Sequence, residues 1–195
     1  MDAPIKSDIT LGILAGGRAS RLGGLDKAWL ERGGVPQVLR IARRFDAQVA
    51  TVIVSANRDL SRYAEHGMAT VADALPDAGP IGGLDALARI CHTPWLLTLP
   101  VDVIGVNECL LQTLAAEATA TGTFAADDDG PQPLVALWCL DALSEAIAAA
   151  IASRDFAIHA LQERLKMAQV RFAGVRFGNL NTPTDLSAAG IELAS

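Results

Sequence analysis

The chain has 195 residues, 51% hydrophobic and 5% aromatic, with a formal net charge of -6. This is ample apolar content for a core, too hydrophobic for intrinsic disorder, and too acidic overall for a non-specific nucleic-acid binder. Residues 1–62 nevertheless carry 10 basic against 6 acidic side chains, and residues 63–195 carry 6 against 16, so the first third can hold a small anion.

The start, Met1 to Asp8, contains acids and no apolar stretch, which argues against a secretory signal. No window reaches the ~18–20 apolar residues of a membrane span. Cys91, Cys109 and Cys139 are odd in number and widely spaced. They read as reduced, mostly buried thiols, and a cytoplasmic location is expected.

Short β-branched runs alternate with helical patterns along the chain. Ile9–Leu14 is a strand candidate followed by a glycine loop. Pro36 lies near the start of a helix with Val38, Leu39, Ala42 and Phe45 on one face. Val49–Val54 is an almost wholly apolar strand, as expected where both sheet faces are covered. A short helix over about Asp59–His66 and a small strand, Ala69–Ala72, follow. Gly79-Pro80 breaks the chain before a helix carrying Leu84, Leu87 and Ile90. Trp95–Leu99 is the next strand. Asn107 is the expected N-cap of a helix with Leu110, Leu111, Leu114 and Ala118 on one side. Thr123–Ala126 and Leu134–Trp138 flank a polar turn. Leu143, Ile147 and Ile151 mark a helix, as do Ile158, Leu161 and Leu165. A late strand near Val170–Phe177 precedes a final short helix.

This alternation predicts an α/β domain with a largely parallel sheet. Ligands of such sheets bind beyond the carboxyl ends of the strands. The segments to read closely are therefore Ala15–Lys27, Ser55–Arg58, Asp73 and Pro100–Asp102.

In the first of these, Gly16, Gly17, Gly23 and Gly24 let the backbone turn and approach a ligand. Their N–H groups can cradle phosphate oxygens, and Arg18, Arg21 and Lys27 add positive charge for a polyphosphate. Lys27 is one of only three lysines, with Lys6 and Lys166. The dinucleotide fingerprint G-x-G-x-x-G is absent, because Gly16 and Gly17 are adjacent. The P-loop pattern also fails, because Lys27 stands three residues past Gly24 and precedes Ala28. Asp102 ends a buried strand beside Pro100. Its carboxylate suits Mg²⁺, which takes one or two carboxylates plus substrate phosphates. Asp73 has a similar placement.

Read as L-A-G-G-x-x-x-R-L-G-G-x-D-K, Leu14–Lys27 resembles the signature of the molybdenum cofactor guanylyltransferases of the MobA type. The resemblance continues in order through Ser55-Ala56-Asn57-Arg58, Asp73, Gly79–Leu84, Pro100-Val101-Asp102 and Asn179–Leu186. It implies a Rossmann-like nucleotidyltransferase fold, with a mainly parallel central sheet and helices on both faces. It implies one domain over residues 1–195, whose N-terminal part binds GTP and whose C-terminal part binds the acceptor. The implied reaction is transfer of GMP from GTP to Mo-molybdopterin, releasing pyrophosphate, with Mg²⁺ required.

By the same resemblance, Leu14, Ala15, Gly16 and Lys27 would contact GTP, Asp73 its guanosine part and Asp102 both GTP and Mg²⁺; Gly17 and Arg18 of the same loop, and Ser55 or Asn57, are further GTP-side candidates. Lys27, Asp102 and Arg21 would be catalytic, and Asp102 would hold the metal. Arg21 and the 179–183 segment, with Asn179, Asn181 and Thr182, would lie near the pterin, and Arg154 is a charge-based candidate for the same side. The sequence departs from the pattern at Ser55, where some members have Asn, and at Val101, often Cys. It also departs at Gln132-Pro133, in place of His-Pro, and at Arg154-Asp155-Phe156, a reduced basic cluster.

The implied acceptor is a terminal phosphate, already a dianion near neutral pH with a second pKa of about 6, so no general base is needed. Partners would be GTP and Mo-molybdopterin, with no nucleic acid and no membrane. Transient contacts with other cofactor-biosynthesis proteins or apo-molybdoenzymes are compatible with a monomer. A transferase using CTP or a sugar-phosphate acceptor, and a non-catalytic nucleotide-binding module, stay open on the sequence. His66, His92 and His159 read as structural or surface groups, and Asp127-Asp128-Asp129 as a solvated turn. Trp29, Trp95 and Trp138 read as core.

Overall fold

The computed structural model describes residues 4–16, 25–75 and 77–191. In β1 (Ile9–Leu14) the side chains alternate strictly. Ile9, Leu11 and Ile13 enter one apolar layer, while Leu14 packs in the other. Gly12 lies on that second face, where an added Cβ would stand 2.7 Å from Leu87 Cδ1.

A hairpin of β2 (Glu31–Arg32) and β3 (Val35–Pro36) follows; the apolar periodicity did not announce it. Gly33 and Gly34 turn it at φ of 59° and 72°, the positive values that a two-residue hairpin turn requires. Pro36 then leads into α1 (Gln37–Phe45), which buries Val38, Ile41 and Phe45.

The chain continues through β4 (Thr51–Ser55), α2 (Leu60–Glu65), β5 (Ala69–Val71), α3 (Pro80–Ile90) and β6 (Trp95–Pro100). The second half holds α4 (Cys109–Ala116), β7 (Gly122–Asp127), β8 (Gly130–Cys139), α5 (Leu140–Ser153), α6 (Ile158–Leu165), β9 (Ala168–Arg171) and α7 (Pro183–Ala188).

Seven strands form one sheet in the order β5-β4-β1-β6-β8-β7-β9. All run parallel except β8, which is antiparallel to both β6 and β7. The expected mainly parallel α/β fold is therefore present. α1, α2 and α4 pack on one face around Leu11, Ile13 and Leu97. α3, α5 and α6 pack on the other around Leu96, Ala136 and Trp138. Strand order reverses at β1. The chain builds outward through β4 and β5, then returns to place β6 on the other side of β1. A third apolar cluster, Leu30, Leu180, Leu186, Ala189 and Ile191, ties the end of the chain to the segment after Lys27.

Several expectations need correction. The last strand begins earlier and ends at Arg171, because the chain turns at Gly174 (φ 73°). Asp127 is buried rather than solvated. It accepts hydrogen bonds from the N–H groups of Phe177 (2.6 Å), Asp129 (2.9 Å) and Gly130 (3.1 Å), and from Gln132 Nε2 (3.2 Å). Asp128 and Asp129 pair with Arg171 and Arg176. Cys91 is buried, but Cys109 is exposed and Cys139 half-buried. Asn107 stands one residue ahead of the assigned cap of α4, yet its side chain accepts from Cys109 N–H at 3.0 Å. Trp29, Trp95 and Trp138 are buried as expected.

Candidate active site

The sheet register builds the site. Leu14 pairs with Ser55 on one side and Pro100 on the other, and Ser55 pairs with Val71. Four parallel strands thus end level with one another. Ala15-Gly16, Ala56-Asn57, Ala72-Asp73 and Val101-Asp102 all leave the sheet along one edge. Backbone bonds lock the ends together: Ala15 N–H to Ser55 O (2.8 Å), Ala56 N–H to Val71 O (3.0 Å) and Val101 N–H to Leu14 O (3.0 Å). The reversal of strand order at β1 leaves a crevice there, where doubly wound sheets bind ligands. A cleft of about 820 Å³ opens over this edge. Leu14, Ala15, Gly16, Lys27, Ser55, Asn57, Asp73 and Asp102 all line it. Gly17, Arg18 and Arg21 lie outside the described residues.

One polar group in the cleft centres on Asp73. Ser55 Oγ donates to Asp73 Oδ1 at 2.8 Å and Asn57 Nδ2 to Asp73 Oδ2 at 3.0 Å. Asp73 N–H donates back to Asn57 Oδ1 at 2.9 Å. The Ser55 and Asn57 side chains therefore orient Asp73 as well as facing the cleft. Gly16 and Gly83 pack tightly against these groups. A Cβ on Gly16 would stand 3.2 Å from Asn57 Nδ2, and one on Gly83 would stand 2.8 Å from Leu14 Cδ2 and 3.0 Å from Ser55 Oγ.

The second group joins residues far apart in sequence. Lys27 Nζ donates to Asp102 Oδ2 at 2.8 Å and also to Asn181 Oδ1. Asn181 stands 154 positions beyond Lys27. The segment is brought there by backbone pairing with the residues after β6. Ile104 N–H donates to Gly178 O (2.8 Å), Leu180 N–H donates to Asp102 O (3.0 Å), and Val103 bridges Asn179. Asn181 thus sits at the junction of the cleft and the C-terminal segment. Thr182 caps α7 by accepting from Asp185 N–H. Arg154 does not join them. It is exposed, closes α5 at φ 56°, and does not line the cleft.

Asp26 precedes Lys27 and caps its short 3-10 turn, accepting from Ala28 N–H at 2.9 Å. Burial pushes its carboxyl above the ordinary value, against the lowering effect of that hydrogen bond. Burial also raises the Tyr63 phenol, assisted by the charges of Asp26 and Asp59. Tyr63 packs against Trp29 with ring centroids 4.8 Å apart and planes tilted by 53°, and the Arg62 guanidinium lies over the Trp29 ring, 4.2 Å from its centroid. His66 joins this cluster at 5.4 Å from Trp29, a packing role.

Asp26 and Arg58, neither of them a candidate site residue on sequence grounds, also line the cleft. Their signals were present: Asp26 stands inside the glycine-loop pattern, and Arg58 directly follows Asn57.

Among the described residues no three His, Cys, Asp or Glu side chains cluster as a preformed metal cage. Asp102 offers one partly exposed carboxylate on the cleft wall. That donor set fits Mg²⁺, which draws its remaining ligands from phosphates and water.

Residues 11–168 match the family model for the MobA-like NTP transferase domain. A molybdenum cofactor guanylyltransferase of Cupriavidus taiwanensis is 33% identical over 192 residues, covering 94% of this chain and 96% of that one. One of Burkholderia vietnamiensis is 35% identical over 202 aligned positions, covering 96% and 98%. In fold, the chain resembles molybdopterin-guanine dinucleotide biosynthesis protein A of Archaeoglobus fulgidus. The TM-score is 0.71 at 21% identity, over 93% of this chain and 96% of that one. With the family domain spanning the cleft and full-length relatives above 30% identity, the chain belongs to the molybdenum cofactor guanylyltransferase family of MobA-like nucleotidyltransferases.

Proposed function

We propose that this protein transfers GMP from GTP to Mo-molybdopterin in the cytoplasm, acting as a monomer and requiring Mg²⁺. An oxygen of the pterin's terminal phosphate attacks the α-phosphorus of GTP. The bond from that phosphorus to the bridging oxygen breaks, and pyrophosphate leaves with the electron pair. The product is molybdopterin guanine dinucleotide. The observation that carries this reading is the meeting of Lys27, Asp102 and Asn181 at the sheet edge where strand order reverses. The names borne by the full-length relatives add the guanylyl specificity and the pterin acceptor.

Each residue then has a physical task. The backbone of Leu14, Ala15 and Gly16 approaches the nucleotide; on sequence grounds Gly17 and Arg18 are assigned to GTP contact and Arg21 to catalysis. Asp73, oriented by Ser55 and Asn57, contacts the guanosine part. Lys27 orients and neutralises the triphosphate. Asn181 holds Lys27 from the acceptor side, flanked by Asn179 and Thr182. No general base is required, because the acceptor phosphate is already anionic at neutral pH. The rate gain comes from in-line positioning and charge neutralisation of the leaving group. Mg²⁺ held on Asp102 would supply further neutralisation of the phosphate oxygens. The GTP half thus falls to the N-terminal part and the acceptor half to the C-terminal part.

The test incubates the protein with Mo-molybdopterin, Mg²⁺ and either GTP or CTP, and follows pyrophosphate and dinucleotide product. Product with GTP and none with CTP is expected. Product with CTP alone, or none with GTP, sinks the guanylyl assignment.

A further inference from the structure

The Asn181 side chain can hold the Lys27 ammonium only if its backbone is fixed. Upstream, Leu180 is buried and its N–H is bonded to Asp102 O. Downstream, a single carboxylate oxygen, Asp185 Oδ2, accepts both Thr182 N–H at 2.7 Å and Asn181 N–H at 3.1 Å. The first of these bonds belongs to an ordinary capping box, completed by Asp185 N–H donating to Thr182 Oγ1 at 3.2 Å. The second bond is not needed to start the helix. It reaches one residue further back, to the residue that touches Lys27. Leu186, the next residue along, is buried in the same apolar cluster as Leu30, whose segment begins at Lys27. Both halves of the Lys27–Asn181 contact are therefore anchored in one cluster, and Asp185 joins the contact to it.

We infer that Asp185 is a positioning residue for the reaction centre, holding the Asn181 backbone so that its side chain fixes the Lys27 ammonium beside Asp102. The inference rests on the transferase reading above. Asp185 does not line the cleft; it acts through Asn181.

A double-mutant cycle of Asp185→Ala and Asn181→Ala tests it, run well below the melting temperature of each variant. Two quantities are read: pyrophosphate release, and the affinity for Mg²⁺ with the nucleoside triphosphate that the wild-type protein binds. Asp185→Ala is expected to lower kcat/KM about tenfold in the wild-type background, the size of one lost charge-assisted contact. In the Asn181→Ala background it should cost less than about twofold, since contacting residues are not additive. The affinity cycle should show the same coupling. Asp185→Asn keeps an oxygen that can accept both N–H groups and should recover most of the activity.

Losses that multiply independently overturn the inference, as does an Asp185→Asn variant no better than Asp185→Ala. If Asp185→Ala does not fold, Asp185→Ser, too short to reach the Asn181 amide, replaces it. If neither folds, Asp185 is a structural residue and the inference falls. Absence of wild-type turnover with GTP sinks the proposed function alone, because the affinity cycle still judges Asp185. Absence of any triphosphate binding overturns both.

Discussion

Lys27 and Asp102 form an ion pair whose side chains are 20% and 22% exposed. Pairs this accessible to solvent contribute roughly 0–1 kcal/mol to stability. The pair is therefore better explained by ligand chemistry than by folding. Asp102→Ala should keep the melting temperature within about 2–4 °C of wild type, while turnover falls by ~10²–10³ if the loss resembles that of an oxyanion contact. Circular-dichroism melting and the pyrophosphate assay check the two halves, and near-normal turnover removes the metal role. Asp26 shows the opposite economy. Its carboxyl is raised by burial, so the folded state binds its proton more tightly than the unfolded chain does. Stability is thus lost as pH rises from the ordinary aspartate value, 3.8, through the raised one. Asp26→Asn can still accept from Ala28 N–H. Its melting temperature should exceed that of wild type at neutral pH, and the difference should shrink on acidification. A difference that is independent of pH would show that the charge of Asp26 is not the cause.

At the scale of elements, the hairpin of β7 and β8 and the loop after β9 are held by one buried side chain. Burial acts to raise the Asp127 carboxyl. The hydrogen bonds from Phe177 N–H, Gln132, Asp129 N–H and Gly130 N–H outweigh it and hold the carboxyl below the ordinary value. The stabilisation is complete above the ordinary aspartate value, 3.8, and disappears as pH falls through the folded one. Asp127→Ala would strand several of these donors, costing about 3 kcal/mol at neutral pH, since each unsatisfied buried group costs ~1–3 kcal/mol. Denaturant titration at pH 7 and in acid should show the gap between wild type and variant narrowing with acid. An equal gap at both would mean that packing, not the carboxylate, holds the loop. Gln132, which stands where the family pattern has His, donates to this same carboxylate. That contact gives the substitution a structural role.

At the scale of the molecule, the uneven charge of the sequence acquires a place. Lys27 and Arg58, both from the basic first third, line the cleft on the edge formed by β1, β4, β5 and β6. Asp73 and Asp102, from the acidic remainder, line the same cleft. A Mg²⁺–GTP complex meeting both signs of charge should bind the folded state alone. At ~100 times its dissociation constant it should stabilise by ~2.7 kcal/mol, raising the melting temperature by ~2–4 °C per kcal/mol. A thermal-shift panel of GTP, CTP, ATP and UTP with Mg²⁺ reads this directly. A shift with CTP alone would contradict guanylyl specificity, and no shift with any of them would contradict triphosphate binding.

By itself, the sequence determined the alternation of strands and helices, the coverage of both sheet faces, and the candidates at the strand ends. Lys27, Asp73 and Asp102 were legible because position after a strand and charge within a glycine loop are properties of a local window; Leu14 entered through the family resemblance of that loop. The hairpin at Gly33-Gly34 lay outside that signal, since two-residue strands carry no periodicity. Only the tertiary structure decided that Asn181 meets Lys27, that Ser55 and Asn57 orient Asp73, and that Arg154 stands outside the cleft. It also decided that Asp127, read as solvated, is buried under the loop that carries Phe177. The contacts among these depend on sheet register and join side chains to groups 16 to 154 positions away. Such pairings are selected by the packing of the whole core, which no local window contains.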